Sequence, residues 1–215
     1  FASIGPGGSV IFLGDAINAG QLDLGGGASF TTNGNLINTG LINAWNNLAT
    51  DVVTVAGSYT GGGQLVFDYN LVAGTADRLN IAGSASGSTT VTMHRVGGFS
   101  LLPGGFLPVV TVAGGAPANA FTSGTILGNV GFIVERFGQN PANAKEFGVL
   151  QGVNPATGSL AGMTSMAEAA SALIDEPVSA YVSTVADPGA NQRMWGLWVR
   201  GGGGHTRQSL TTTIS

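Results

Sequence analysis

Few residues in this sequence could carry chemistry. Histidine occurs twice, as His94 in "VTMHRV" and His205 in "GGGGHTRQ". The two lie in different segments, and a histidine-based triad or metal site needs two or three partners that converge. His94 reads instead as a solvent-facing residue on a short strand. Cysteine is absent, which excludes disulfides, thiolate nucleophiles and thiolate metal ligands. "GSASG" at 83–87 fails as a nucleophile elbow because Ala85 stands where the serine would be. "GGGG" at 201–204 lacks the Lys-Ser/Thr that follows the glycines of a phosphate loop. Asp77 is a candidate, but a carboxylate at the corner between two short strands ordinarily accepts backbone N–H bonds. Glu168, Asp175 and Glu176 read as a solvated helix face or as a polar face matched to a pore wall. The five Asp and two Arg of residues 1–97 show no pairing along one groove, as a polysaccharide lyase would require. The sequence therefore offers no catalytic residue, no cofactor-binding residue and no metal ligand. The reading is a non-enzyme with no cofactor and no evident small-molecule substrate.

The elements that hold these residues follow from composition and pattern. Charged residues are 8% of the chain, about a third of the usual share, and Gly is 37 of 215. Apolar residues are 43%, too many for a disordered segment. Only 7 residues are basic, one of them a lysine, Lys145. That argues against nucleic acid, which is bound by clustered cations. No run of 18 apolar residues could span a bilayer as a helix. The chain opens in mid-pattern at "FASIGPGGSVIF" and is read as a piece of a longer precursor.

Apolar pairs two residues apart recur along the first half: Leu22/Leu24, Val53/Val55, Leu65/Phe67, Leu79/Ile81 and Val91/Met93. Over residues 53–93 they return every 12 to 14 residues, with Gly, Asn, Ser and Thr between. Three-residue strands cannot bury a core alone. Stacked as rungs of a parallel β-helix, they align like residues into inward columns, with Gly and Asn taking the φ > 0 corners. The competing reading is an antiparallel sandwich, which also uses short, regularly spaced strands. Residues 98–152 change character. "LPGGFLPVVTVAGG" gives a longer apolar strand, and "FTSGTILGNVGFIVERF" and "EFGVLQG" read as two closing strands, with Phe121, Phe132 and Phe147 as plugs. Phe106, Ile126, Ile133 and Leu150 complete an apolar-rich cap, the expected stability nucleus. In "SLAGMTSMAEAASALIDEP", Leu160, Met163, Ala167, Ala170 and Ile174 recur at helical spacing, and Pro177 ends the pattern. "RMWGLWVRGGGG" alternates as a strand with one apolar face, including Trp195, Leu197 and Val199.

"GSYTGGGQLVFDYNL…TADRLNIAGSASGSTTVTM" (57–93) followed by "GNVGFIVERF…KEFGVLQ" (128–151) resembles the C-terminal stem of pertactin-like autotransporter passengers, surface proteins of Gram-negative bacteria exported by type V secretion. The matching positions are Gly57 and Tyr59, Leu65 and Phe67, Asp77, Leu79, Ile81 and Gly83, then Gly131 to Val134, and Phe147 to Leu150. Phe132 stands where the family pattern has Tyr, and Phe147 where it has Trp. The resemblance covers roughly residues 50–152, and "RMWGLWVRGGGG" resembles the opening strand of the family's translocator barrel.

The resemblance implies an all-β chain: a right-handed parallel β-helix with a C-terminal cap, then a helical linker and the first strand of a truncated outer-membrane β-barrel. The expected boundaries are β-helix rungs over 1–97, a cap or autochaperone region over 98–152, a linker over 153–192 that spans the pore in the full-length protein, and the start of the barrel over 193–215. The implied function is non-enzymatic: a passenger stem that nucleates β-helix folding at the cell surface during secretion. The chain would reach the outer membrane and cell surface through the periplasm, its partners being the outer membrane, through the downstream barrel, and host surface molecules. The alternative is an adhesin that uses the β-helix to contact host proteins or glycans. It would show aromatic ladders or long loop insertions, and residues 1–97 show neither clearly.

Overall fold

The computed structural model describes residues 1–123, 126–130 and 132–154. Each circuit of the chain lays one strand in each of three sheets. The first turn is β1 (Ala2–Ile4), β2 (Ser9–Phe12) and β3 (Ala16–Asn18); the second is β4 (Gln21–Leu24), β5 (Ser29–Thr32) and β6 (Leu36–Asn38). The third is β7 (Leu41–Asn43), β8 (Val52–Val55) and β9 (Tyr59–Gly61). The fourth is β10 (Gln64–Asn70), a short return strand β11 (Thr75–Ala76), β12 (Arg78–Ile81) and β13 (Ala85–Ser86). Then come β14 (Thr89–Arg95), β15 (Phe106–Val112), β16 (Phe121–Thr122), β17 (Ile126–Val130), β18 (Ile133–Asn140) and β19 (Asn143–Val153). Sheet A is ordered β1-β4-β7-β10-β14-β16, sheet C is β3-β6-β9-β13, and β2-β5-β8-β12-β15 form the parallel part of sheet B. Strands of successive turns pair in parallel, as Ala2 with Leu22, Phe30 with Val53 and Tyr59 with Ala85 show. The fold is a parallel β-solenoid of four complete turns, not a sandwich, and it includes residues 1–20.

The side-chain alternation of each strand builds the core. Leu22, Ile42, Leu65 and Val91 align in sheet A. Phe30, Val53, Leu79 and Val110 align in sheet B, and Ala16, Leu36, Tyr59 and Ala85 in sheet C. All are buried, and each large one contributes about 1.5–3 kcal/mol of transfer free energy. The 12 to 14 residue recurrence in the sequence is therefore the step between sheets A and B. A full turn is longer: Val10 pairs with Phe30, Phe30 with Val53, Val53 with Leu79 and Leu79 with Val110.

All of this lengthening through the fourth turn falls at one corner. The corner from B to C always holds three residues and the corner from C to A always two, whereas the corner from A to B grows from four residues (5–8, 25–28) to eight (44–51). Glycine fixes the two short corners. A Cβ on Gly40 would overlap the Gly20 carbonyl oxygen, and one on Gly63 would overlap that of Gly40, so the turns stack at this spacing only without side chains there. Asn plays a different part from the one expected. Among the described residues Asn47 is the only non-glycine residue with positive φ. Asn18 and Asn38 instead end their strands and form an internal ladder: Asn18 Nδ2 donates to Asn38 Oδ1 (2.8 Å) and Asn38 Nδ2 to the Tyr59 hydroxyl (3.2 Å).

At its C-terminal end sheet B changes sense. The β15 edge is taken by β19 in antiparallel register (Leu107 with Val149), β19 by β18 (Val149 with Phe137) and β18 by β17. The stretch expected as one closing strand is thus a hairpin, β17 and β18. Phe121 and Phe147 are buried, their ring centroids 5.2 Å apart, and Tyr59 lies 5.5 Å from Phe121. Phe132 corrects the expectation: it is 66% exposed. It precedes β18 at the hairpin tip, where the described residues provide no further layer of core to receive it. The helix expected over 160–176 and the barrel strand expected over 193–200 lie outside the described residues.

Candidate functional site

The variable corner gathers polar groups that the regular turns do not have. Asp51 closes the long 44–51 segment, Asp68 lies near the end of β10, and Asp77 precedes β12 after the β10–β11 excursion. All three are buried. Ala28 N–H donates to Asp51 Oδ1 (2.7 Å), and Asn46 Nδ2 donates to Asp51 Oδ2. The backbone N–H groups of Asn46 and Asn47 both donate to Asp68 Oδ2, at 2.9 and 2.6 Å. Asp77 bridges the other two: Oδ1 accepts from Asp51 N–H (2.9 Å) and Oδ2 from Asp68 N–H (2.7 Å). Each carboxylate thus holds the backbone of a neighbouring segment, the role expected for Asp77. Burial pushes the Asp77 carboxyl up to about 7, aided by the Asp51 and Asp68 charges and opposed by its two N–H bonds. Burial also raises Asp51. Asp68 Oδ1 is buried without a hydrogen-bond partner among the described residues. No group of three His, Cys, Asp or Glu among the described residues is arranged to hold a metal ion.

A second polar cluster joins the parallel turns to the antiparallel end. Glu135, fully buried on β18, accepts the Tyr69 hydroxyl of β10 at 2.7 Å and Arg95 Nη1 of β14 at 3.2 Å. Gly128 of β17 passes over it, and a Cβ there would lie 2.8 Å from Glu135 Oε2. Burial raises the Tyr69 phenol further, reinforced by its bond to Glu135 and the charge beside it. Gln151 of β19 makes a similar tie: its Oε1 accepts Leu102 N–H (2.7 Å) and its Nε2 donates to Ser100 O (2.9 Å). The glutamate and its partners lie 40 and 66 residues apart in sequence, and only the paired sheets bring them together.

His94 does lie on the outward phase of sheet A, but it is half-buried, because its ring stacks on Trp45 with centroids 4.2 Å apart and planes 5° apart. This pair was not legible in the sequence. Trp45 follows β7 and His94 sits on β14, so the rings meet across β10, where Asp68 pairs with His94. Gly83 is a corner glycine and Ala85 of "GSASG" faces the core. His205, the 201–204 glycines, Glu168, Asp175 and Glu176 lie outside the described residues.

Stacked parallel turns, one variable corner and an antiparallel end define a parallel β-solenoid, and a partial sequence match makes it an autotransporter-like β-helix segment. The chain is 40% identical over 74 residues to the probable autotransporter YfaL of Escherichia coli (strain K12), a match spanning 33% of this chain and 6% of that protein. No protein-family model matches the chain.

Proposed function

We propose that this chain is the C-terminal stem of an autotransporter passenger, an export intermediate's folding template rather than an enzyme. The partial similarity to a probable autotransporter supports transit through the periplasm to the outer membrane and cell surface, with a downstream barrel as the membrane partner. The observation that carries the reading is the closed C-terminal end of the solenoid. At the C-terminal end, antiparallel strands cover the β15 edge and the Glu135 cluster ties them to β10 and β14. A chain emerging C-terminal end first can close its covered end, then offer open strand edges on which each next turn stacks by nearest-neighbour contact. Folding outside the cell would then bias export without ATP.

The test is surface display of the full-length protein, read by protease accessibility on intact cells. Phe147→Ala, in the closed end, is expected to reduce display far more than Leu24→Ala, in the second turn. Equal reduction by the two variants refutes folding from the C-terminal end.

A further inference from the structure

Sheet A turns outward a face unlike the rest of the solenoid. Trp45 is 58% exposed on it, although a bare indole in water forgoes a large burial gain. His94 holds one side of the ring in a parallel stack, which leaves the other side as a flat plate fixed in place. Beside it lies a chain of planar polar groups. Asn43 Oδ1 accepts the backbone N–H of Trp45 (3.2 Å), Asn43 Nδ2 donates to Asp23 Oδ1 (2.9 Å), and Gln21 Nε2 donates to the same oxygen (2.8 Å). An amide group carries two donor hydrogens and a carboxylate about four acceptor positions, so these bonds orient the three side chains without exhausting them. Among the outward positions of β4, β7, β10 and β14, the ionisable groups are Asp23, His94 and the buried Asp68.

We infer that this face binds neutral oligosaccharides, with Trp45 as the stacking plate and Gln21, Asp23 and Asn43 as hydrogen-bonding groups. A sugar ring presents an apolar C–H face to a plate and a rim of hydroxyls to neighbouring donors and acceptors. The groups are already oriented, so little side-chain entropy remains to be lost on binding. The charge pattern selects against the other ligands of aromatic plates. Nucleic acid and sulfated or carboxylated glycans require cations; no Lys lies on these four strands, and Arg95, exposed at the end of β14, follows the inward phase and is paired with Glu135 at 3.2 Å. The apolar neighbours of the ring, half-buried Leu41 and Val66 and exposed Leu48, form a smaller apolar core than a protein partner would bury. The inference stands apart from the stem reading, since it concerns the side of the solenoid and not its ends.

The test is calorimetric titration of the full chain with neutral hexasaccharides of glucose, galactose and N-acetylglucosamine, with dextran sulfate as the anionic comparison. At least one neutral hexasaccharide is expected to bind. Trp45→Ala should weaken it about tenfold or more, as loss of a stacked ring does in other systems, and Asn43→Ala should weaken it less. Trp45→Phe keeps a plate and should retain most of the affinity, whereas Thr60→Ala on the outer face of sheet C should change nothing. Circular dichroism confirms that each variant is folded, and Asn43→Ala decides the question if Trp45→Ala is not. The inference is overturned if no neutral hexasaccharide binds at about 10 mM. It is equally overturned if only dextran sulfate binds, or if folded Trp45→Ala or Asn43→Ala binds as the unsubstituted chain does.

Discussion

Raising the pH from 4 to 8 should destabilise the solenoid, and Asp77 should account for the largest single share. Its carboxyl titrates at about 7 in the folded chain against the ordinary 3.8 of an aspartate, because burial penalises the charged form. A group whose pKa is raised on folding binds more protons in the folded state between those two values, so stability falls as pH rises through that window. The relative stabilisation is fully present below about 3.8 and lost once pH passes about 7. At about 1.4 kcal/mol for each pH unit of that window, its full width corresponds to about 4 kcal/mol as an upper figure. Asp51, also raised by burial, acts in the same direction. The assay is urea unfolding of residues 1–154 and of the full chain at intervals from pH 4 to pH 8.5, with Asp77→Asn alongside. Asp77 accepts one N–H on each oxygen, so Asn meets one of those donors with an NH₂ group. That should cost about 1–3 kcal/mol at low pH, the penalty of an unsatisfied buried donor. The gap between the two proteins should shrink as pH rises, since only the unsubstituted chain bears the burden of a buried charge. A gap that stays constant or widens from pH 4.5 to 7.5 would show that the two N–H bonds outweigh burial and that Asp77 is ionised throughout.

Three further outcomes test the architecture. Phe147→Ala should cost about 3–5 kcal/mol in denaturant unfolding, from lost burial plus the cavity left beside Phe121, whereas Phe132→Ala should stay within about 0.5 kcal/mol because the ring is exposed. Glu135→Ala should destabilise by about 3 kcal/mol or more, leaving the Tyr69 hydroxyl buried without its acceptor and Arg95 without its counter-charge; Tyr69→Phe, which removes one bond only, should cost less, and thermal melts that rank the two the other way would contradict the ion-pair account. Gly40→Ala should lower the melting temperature clearly while Gly5→Ala leaves it nearly unchanged, since a Cβ at Gly40 meets the preceding turn and one at Gly5 meets nothing within 4 Å.

Local pattern in the chain was enough to place the strands and their buried phase. Alternation is a property of a few adjacent residues, so Leu24, Val55, Phe67 and Ile81 belong to the core whatever their strands pair with, and all four are buried. The role of Asp77 was legible for a similar reason, because a short carboxylate side chain at a strand corner has local backbone amides to accept. The number of sheets and the length of a turn came only from the folded chain. The short strands of sheet C alternate too weakly to announce themselves, and one corner absorbs a variable number of residues, so the repeat of 20 in the first turns is lost in the later ones. Stacking across turns likewise paired Trp45 with His94 and buried Glu135 beneath Gly128, since both contacts join strands far apart in sequence. It also reversed the placement of Phe132. A large aromatic ring is worth burying wherever a layer of core exists to receive it, and whether one exists at a hairpin tip is decided by the packing of the whole end of the solenoid and not by the residue's own neighbours in sequence.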